Sequence, residues 1–409
     1  MGTLTSLKTI KTKAYKVLYQ RIFFTLMVIV IYIFGSHLTL PGVKARAHRP
    51  NNFLDLALSN VGGDLHSLNV FSLGLGPWLT TMIVMTLLSY RNIEKEKLQT
   101  RLERHVKERF FTTLLAIIQG YFLISQYVKQ VHLRDSDFVL LMLILVTGTL
   151  FLVWLADQNT VYGIAGPTPI VLVSIIKSIF QNQHLQRLDV MTLGIGIGLM
   201  LVVLISLVWL ERIEYRLIYR DMMNVTTSKK DTYISWKLNP AGSITVMFNF
   251  SLFFIVGICA HLIGKFVLGH QHPQLKFLEI DTVIGVIVFL VMLIVLNFVL
   301  SQVILNSKRQ AKNFQKSGHY FEDIYPGKET ERYLKHQALK VSTVGAGMLG
   351  WVISLPLLTT MMIPDMVQQL STFTQFVILI YMTINITETV RTYLYFDQYQ
   401  SFLDPYRKE

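Results

Sequence analysis

Val70–Tyr90 reads VFSLGLGPWLTTMIVMTLLSY. Two glycines and a proline within Leu73-Gly74-Leu75-Gly76-Pro77 rule out ordinary helix interior, because glycine loosens the backbone and proline removes a donor. From Trp78 to Leu88 the residues are apolar or small, with Thr80, Thr81 and Thr86 as the hydroxyls. The stretch predicts a membrane helix with a broken, non-helical start. Such backbone is tolerated at membrane depth only where protein buries it or where it lines a water-filled cavity. A short interfacial kink is the alternative, and the rest of the chain decides between them.

Around this stretch the 409-residue chain is 52% hydrophobic and 15% charged, with a mean hydropathy of +0.45. That composition belongs to a polytopic membrane protein rather than a large soluble enzyme. The net charge of +13 would suggest nucleic acid in a soluble protein. Here it follows from the placing of Lys and Arg in cytoplasmic loops. The single cysteine, Cys259, lies in an apolar run and excludes an internal disulfide framework. Lys8, Lys11, Lys13, Lys16 and Arg21 precede the first apolar run, but no small-x-small cleavage site follows. Leu4–Tyr19 alternates basic and apolar residues at helical spacing, as a helix on the cytoplasmic membrane surface would.

With about 20 apolar residues per span as the ruler, ten spans are expected. They lie near Ile22–Leu40, Leu75–Tyr90, Phe110–Tyr127, Phe138–Leu155, Ile164–Phe180, Thr192–Leu210, Ile244–Leu268, Val283–Leu305, Val341–Met362 and Phe373–Tyr393. The fifth opens with a second broken start, Gly163-Ile164-Ala165-Gly166-Pro167-Thr168-Pro169. With the N-terminus inside, 29 of the 38 basic residues fall in inner segments and 9 in outer ones. This bias places both termini in the cytoplasm. The expected architecture is an all-α polytopic membrane protein. Two five-span halves, 1–185 and 186–409, enter from opposite sides, which permits an inverted repeat clasping a path between them.

Two inner loops, 211–239 and 306–340, are long and basic. They suit solvated faces near anionic headgroups or docking arms for a cytosolic partner. No span carries a central carboxylate, which ion-coupled transporters need at depth. No GxxxxGK[ST] occurs, so the chain itself is not expected to hydrolyse nucleotide. His270-Gln271-His272 reads as a solvated outer loop rather than a metal site, and Gly194-Ile195-Gly196-Ile197-Gly198 as a close helix-packing surface. A small-solute transporter with an inverted repeat would need a polar midplane site. A scaffold anchoring a cytosolic ATPase would leave the two broken starts without a reason.

Five motifs then carry a resemblance. They are Phe71–Thr80 at the start of span two, Gly148–Leu155, Lys237-Leu238-Asn239-Pro240-Ala241-Gly242, Ser317-Gly318 with Pro326-Gly327, and Glu388-Thr389-Val390-Arg391. In this order and on ten spans, the chain resembles SecY, the channel subunit of the bacterial protein-export translocon. The resemblance implies an hourglass channel in the plasma membrane, closed by an apolar ring, with a plug outside it. A lateral gate is implied between spans two–three and seven–eight. It assigns to the ring Leu75, Leu79, Thr168, Leu172, Met247 and either Ile380 or Tyr381. The plug would run over 53–63 and include Phe53, Leu54, Leu56, Leu58, Gly62 and Gly63. Thr168 departs from the family's usual aliphatic residue.

Further departures separate branches of the family. Span five opens on Ala165-Gly166-Pro167 instead of Gly-Asn-Gly, and span seven has Ile244-Thr245 where the family has Ile-Pro. The arginine that precedes Pro-Gly in the large basic loop is Tyr325, and the paired arginines of the preceding loop fall at Asn224 and Val225. Lys229 and Lys230 are the nearest substitutes. The pattern resembles the accessory Sec channel of Gram-positive cocci, which exports serine-rich glycosylated adhesins with a dedicated motor. A housekeeping SecY with a drifted motor loop is the alternative. The resemblance implies as partners a SecA-type cytosolic motor ATPase, small membrane subunits or accessory Sec proteins, the translocating polypeptide and membrane lipids. It implies no nucleic acid, cofactor, metal or catalytic residue. Motor docking would fall to Lys229, Lys230, Lys308, Arg309, Lys312, Lys316 and Tyr325.

Overall fold

A computed structural model describes residues 2–40, 61–63, 68–91, 100–128, 135–181, 190–221, 232–267, 282–362 and 370–394. The helices among them are α1 (Gly2–His37), α2 (Gly76–Arg91), α3 (Arg101–Val128), α4 (Asp135–Tyr162), α5 (Thr168–Gln181) and α6 (Val190–Arg212). Then come α7 (Gly242–Val267), α8 (Val283–Leu305), α9 (Ser307–Ser317), α10 (Lys328–Met362) and α11 (Leu370–Leu394). Each expected span falls on one helix; α9 is the helix that is not a span. Among the described residues, four stretches are long and apolar enough to cross a membrane: Tyr15–His37, Phe138–Tyr162, Val283–Ser317 and Lys328–Leu358. Gly76–Ser89, Thr168–Phe180 and Gly242–Gly257 are shorter apolar helices. The lead-in expected over Leu4–Tyr19 is continuous with the first span, since α1 is unbroken.

One apolar core runs through the bundle, from Val28 of α1 to Met382 of α11. Helices α1–α5 meet α6–α11 along two seams. At one, α2 packs on α7 and α8, and α3 on α7; at the other, α5 and α1 pack on α11. Gly194 and Gly198 of α6 stand in neither. A Cβ on either would meet nothing within 4 Å, so these two glycines pack closely against no described neighbour, while Gly196 between them is buried.

The two long loops hold a fold of their own that the sequence reading did not anticipate. Strand β1 (Glu214–Asp221) pairs antiparallel with β2 (Thr232–Lys237), placing Leu217 opposite Ile234 and Tyr215 opposite Trp236. The two-residue β3 (His319–Tyr320) pairs with the other edge of β1. Leu217 and Trp236 point into a second apolar cluster with Phe314, Phe321, Leu334 and Ala338. Helix α9 closes it by burying Ala311 and Phe314 while Arg309, Lys312 and Lys316 stay exposed. Asn306 and Gly318 cap α9 in left-handed conformations, with φ of 34° and 71°. Phe314 and Phe321 are therefore core residues of the loop domain, not parts of a solvated face.

Candidate functional site

The start of α2 shows why its sequence is broken. Residues 71–75 form turns, and Gly74 has φ of +61°. A Cβ there would lie 2.4 Å from the Gly63 nitrogen and 2.8 Å from the Val61 carbonyl oxygen, so glycine is required twice over. The neighbouring segment Val61–Gly63 is buried and stitched to three elements. The Leu75 amide donates to Val61 O (2.8 Å), the Tyr32 hydroxyl of α1 to Gly62 O (2.9 Å), and the Ser174 hydroxyl of α5 to Gly63 O (2.9 Å). Leu75, whose amide makes the first of these contacts, and Leu79, one turn on, are wholly buried.

The second broken start is held by side chains from two other helices. Ala165 and Gly166 take left-handed φ of 58° and 54°, leaving backbone groups that no helix satisfies. Asn159 of α4, wholly buried, donates to Ile164 O (3.1 Å) and Gly166 O (2.6 Å). Thr25 of α1 donates to Asn159 Oδ1 (2.9 Å) and accepts from the Ile164 amide (2.9 Å). Thr168 and Leu172 follow on α5, the first buried and the second half-buried.

Met247 is buried, Ile380 is half-buried, and both join the apolar core that holds Leu75, Leu79 and Leu172. Tyr381 is committed elsewhere. Its hydroxyl accepts from Asn239 (3.4 Å), which accepts from Asn297 (3.0 Å), which in turn accepts from Thr245 (3.1 Å). The motifs around Lys237 and Glu388 also meet, through an ion pair between those two residues that Glu211 joins. Burial pulls the Lys237 ammonium's pKa down. Its hydrogen bond to Glu388 and the charges of Glu211 and Glu388 outweigh that, and the pKa ends above the ordinary lysine value.

The α2/α3–α7 seam is polar in part and incompletely satisfied. The Ser251 hydroxyl of α7 donates to Gly76 O at 2.8 Å. Gln119 of α3 is wholly buried beside Gly76, and both its amide atoms lack a partner, while Asn249 of α7 donates its amide to Phe289 O of α8 (3.3 Å). Buried polar groups are nearly always paired, so the unpartnered Gln119 amide stands out in this apolar contact.

Of the expected docking residues, Arg309, Lys312 and Lys316 line the exposed side of α9, with Lys308 half-exposed. Tyr325 is 75% exposed, yet its backbone is fixed. Its amide donates to Glu329 (3.4 Å), and its carbonyl accepts from the Thr330 hydroxyl (3.0 Å). Phe53, Leu54, Leu56, Leu58, Lys229 and Lys230 lie outside the described residues; Gly62 and Gly63 are the part of the expected plug that is placed. Sequence reasoning missed Arg21, Thr25, Asn159, Gln119 and Asn249. For Thr25, Gln119 and Asn249 the signal was present as polar residues within apolar spans, and for Arg21 and Asn159 as polar residues just beyond a span's end, both of which call for a reason.

A family model described as SecY matches residues 69–387. The accessory Sec system protein translocase subunit SecY2 of Staphylococcus haemolyticus is 47% identical over 399 residues, covering 97% of this chain and 100% of that one. Its namesake in Staphylococcus epidermidis is 42% identical over 394 residues, covering 96% and 98%. Among solved structures, one described as the structure of a protein conducting channel superposes with a TM-score of 0.69 at 14% identity over 95% of each chain. Sec61 in the canine ribosome-channel complex gives 0.66 at 13% identity, again over 95% of each. At that identity the solved structures speak for the fold, and the fold is that of a membrane-embedded channel protein. The family match and the near full-length relatives speak for descent: the chain belongs to the SecY family, alongside the accessory Sec system SecY2 subunits.

Proposed function

We propose that the protein is the protein-conducting channel of an accessory Sec system in a bacterial plasma membrane, held here in its closed state. Both termini and the β1–β3 domain face the cytoplasm, and two inverted five-span halves enclose the path. The observation that carries this reading is the seating of Val61–Gly63 on the turn that leads into α2, beside the wholly buried Leu75 and Leu79 of the same stretch. A segment fastened by backbone carbonyls to two helices and to the turn before a third can be released without breaking any of them.

Leu75, Leu79, Thr168, Leu172, Met247 and Ile380 form the ring. A narrow apolar constriction excludes water and ions but deforms around an extended chain. Tyr381, engaged with Asn239, leaves Ile380 as the member from α11. Opening parts α2 and α3 from α7. Each unpaired buried polar group costs about 1–3 kcal/mol, so hydration of Gln119 offsets part of the cost of exposing apolar surface. The driving force comes from a dedicated SecA-type ATPase. It docks on the sheet domain, steered by Lys229, Lys230, Lys308, Arg309, Lys312 and Lys316 and packed against Tyr325. The exported chains are serine-rich glycosylated adhesins, and small membrane subunits or accessory Sec proteins complete the assembly. Identity of 47% to a SecY2 subunit and tyrosine at position 325 favour the accessory system over the housekeeping one.

The ring is tested by ion flux through sealed vesicles carrying the protein without substrate. Leu79→Gly and Leu79→Asp should raise resting conductance several-fold over the parent. Parent-level conductance in both, with the protein inserted, would remove Leu79 from the ring.

A further inference from the structure

Ala165 stands in left-handed backbone, with φ of 58°. That conformation strains a residue with a Cβ and persists only where its surroundings impose it. Asn159 imposes it from the protein interior. Both Nδ2 protons are used, on Ile164 O and Gly166 O, and Oδ1 accepts from the Thr25 hydroxyl. Two carbonyl oxygens on one side fix which way the carboxamide faces. The Thr25 oxygen in turn accepts from the Ile164 amide. A Cβ on Gly163 would collide with the Asn159 carboxamide, so the side chain lies directly on the backbone of the turn. On the turn's more exposed side, Arg21 Nη1 donates to Val161 O (3.2 Å) and Gly163 O (3.0 Å) and reaches the Tyr393 hydroxyl (3.1 Å).

The turn passes its position straight into α5. The Thr168 amide donates to Ala165 O (3.1 Å), and the Ile170 and Val171 amides donate to Pro167 O (3.1 and 3.3 Å). Farther along, α5 meets Val61–Gly63 twice. The Ser174 hydroxyl holds Gly63 O at 2.9 Å. Ile170 and Val171, both wholly buried, stand against Gly62, where a Cβ would lie 3.7 and 4.0 Å from their side chains. One helix of 14 residues therefore carries Thr168, Leu172 and much of the seat of Val61–Gly63, and it starts on the strained turn. The carboxamide suits this post because it offers two donors and an acceptor in one plane. An aspartate would supply no donor and would set its charge against two carbonyl oxygens.

We propose that Asn159 is a positioning residue of the closed channel: braced by Thr25, it fixes where α5 begins, and through α5 it seats Val61–Gly63. Loss of the carboxamide lets Ala165 relax toward right-handed backbone, α5 shifts, and Ser174 leaves Gly63 O. The Leu75 amide, which donates to Val61 O, then loses its partner, although it belongs to a different turn from the one Asn159 holds. The effect on the seal rests on reading Val61–Gly63 as the end of the plug and Thr168 and Leu172 as ring members; the positioning itself does not.

Amide hydrogen exchange of the full chain in vesicles reads both ends of this link, over 161–171 and at Leu75. Asn159→Ala and Thr25→Val should each speed exchange several-fold at both places. Thr25→Ser keeps the hydroxyl and should exchange as the parent does. Gln302→Leu in α8 removes a buried amide bonded to Ser342 and should leave both places at the parental rate. Faster exchange over 161–171 alone would make Asn159 a local brace and overturn the proposal. Parental rates at both places, equal acceleration in Gln302→Leu, or Thr25→Ser exchanging like Thr25→Val would overturn it as well. Thr25→Val keeps the side chain's shape, so the test stands even where Asn159→Ala fails to insert. Resting ion conductance, expected to rise several-fold with the Leu75 rate, separates this inference from the reading beneath it. Fast exchange at Leu75 with parental conductance would keep Asn159 as the positioning residue and remove Val61–Gly63 from the seal.

Discussion

Lys237 Nζ lies 2.5 and 2.6 Å from the two carboxylate oxygens of Glu388, 151 residues away, and 3.4 Å from Glu211. The lysine ends β2, while the two carboxylates belong to α11 and α6. The ion cluster therefore fastens the sheet domain to the helix bundle at the point where α7 begins. Glu211 is the most enclosed member, at 9% side-chain exposure.

Lys237→Ala should destabilise the protein by about 1–2 kcal/mol. That exceeds an exposed ion pair because it strands Glu211 without its cation. Glu388→Gln should cost less, because Lys237 keeps Glu211. Thermal unfolding in detergent reads the order of the two. The raised pKa of Lys237 means its contribution is whole below the ordinary value of 10.5 and fades as pH rises through the higher folded value. The gap between parent and Lys237→Ala should thus hold steady around neutral pH and shrink only in strong alkali.

Gln119→Leu removes two unpaired amide atoms from a buried site and puts a branched apolar side chain of similar size in their place. It should stabilise the closed seam by about 1–3 kcal/mol and slow export. Unfolding temperature and export rate should move in opposite directions. A variant that is more stable and exports at the parental rate would show that this seam does not open.

Tyr325→Ala should weaken binding of the dedicated motor by about 1–3 kcal/mol with no change in unfolding temperature, because the ring is 75% exposed. Tyr325→Arg should not restore that binding. Raising salt should slow association for parent and variant alike, since steering belongs to the cations of α9. Parental affinity in Tyr325→Ala would place the contact elsewhere.

The spans were legible because the hydrocarbon thickness imposes a length on each helix, and Leu73-Gly74-Leu75-Gly76-Pro77 betrayed its turn through residues that no helix interior favours. The sheet domain was not. In Glu214–Asp221, Leu217 and Tyr219 alternate with Arg216, Ile218 and Arg220 at the period of a strand, but the basic charge of the loop dominated the reading. Gly194 and Gly198 meet no described neighbour for a related reason. Spacing shows which residues share a face, not what that face meets. Arg21 was counted among positive charges, and its contacts with positions 161, 163 and 393 depend on tertiary placement that no local pattern encodes.

The most direct test of the account is a disulfide across the α2/α3–α7 seam. With Cys259 replaced, cysteines are paired between Met82 or Met85 of α2 and Phe248 or Leu252 of α7, and export is followed before and after oxidation. The account predicts that at least one pair cross-links and stops export, and that reduction restores it. Export at the parental rate with the cross-link formed in full would contradict it.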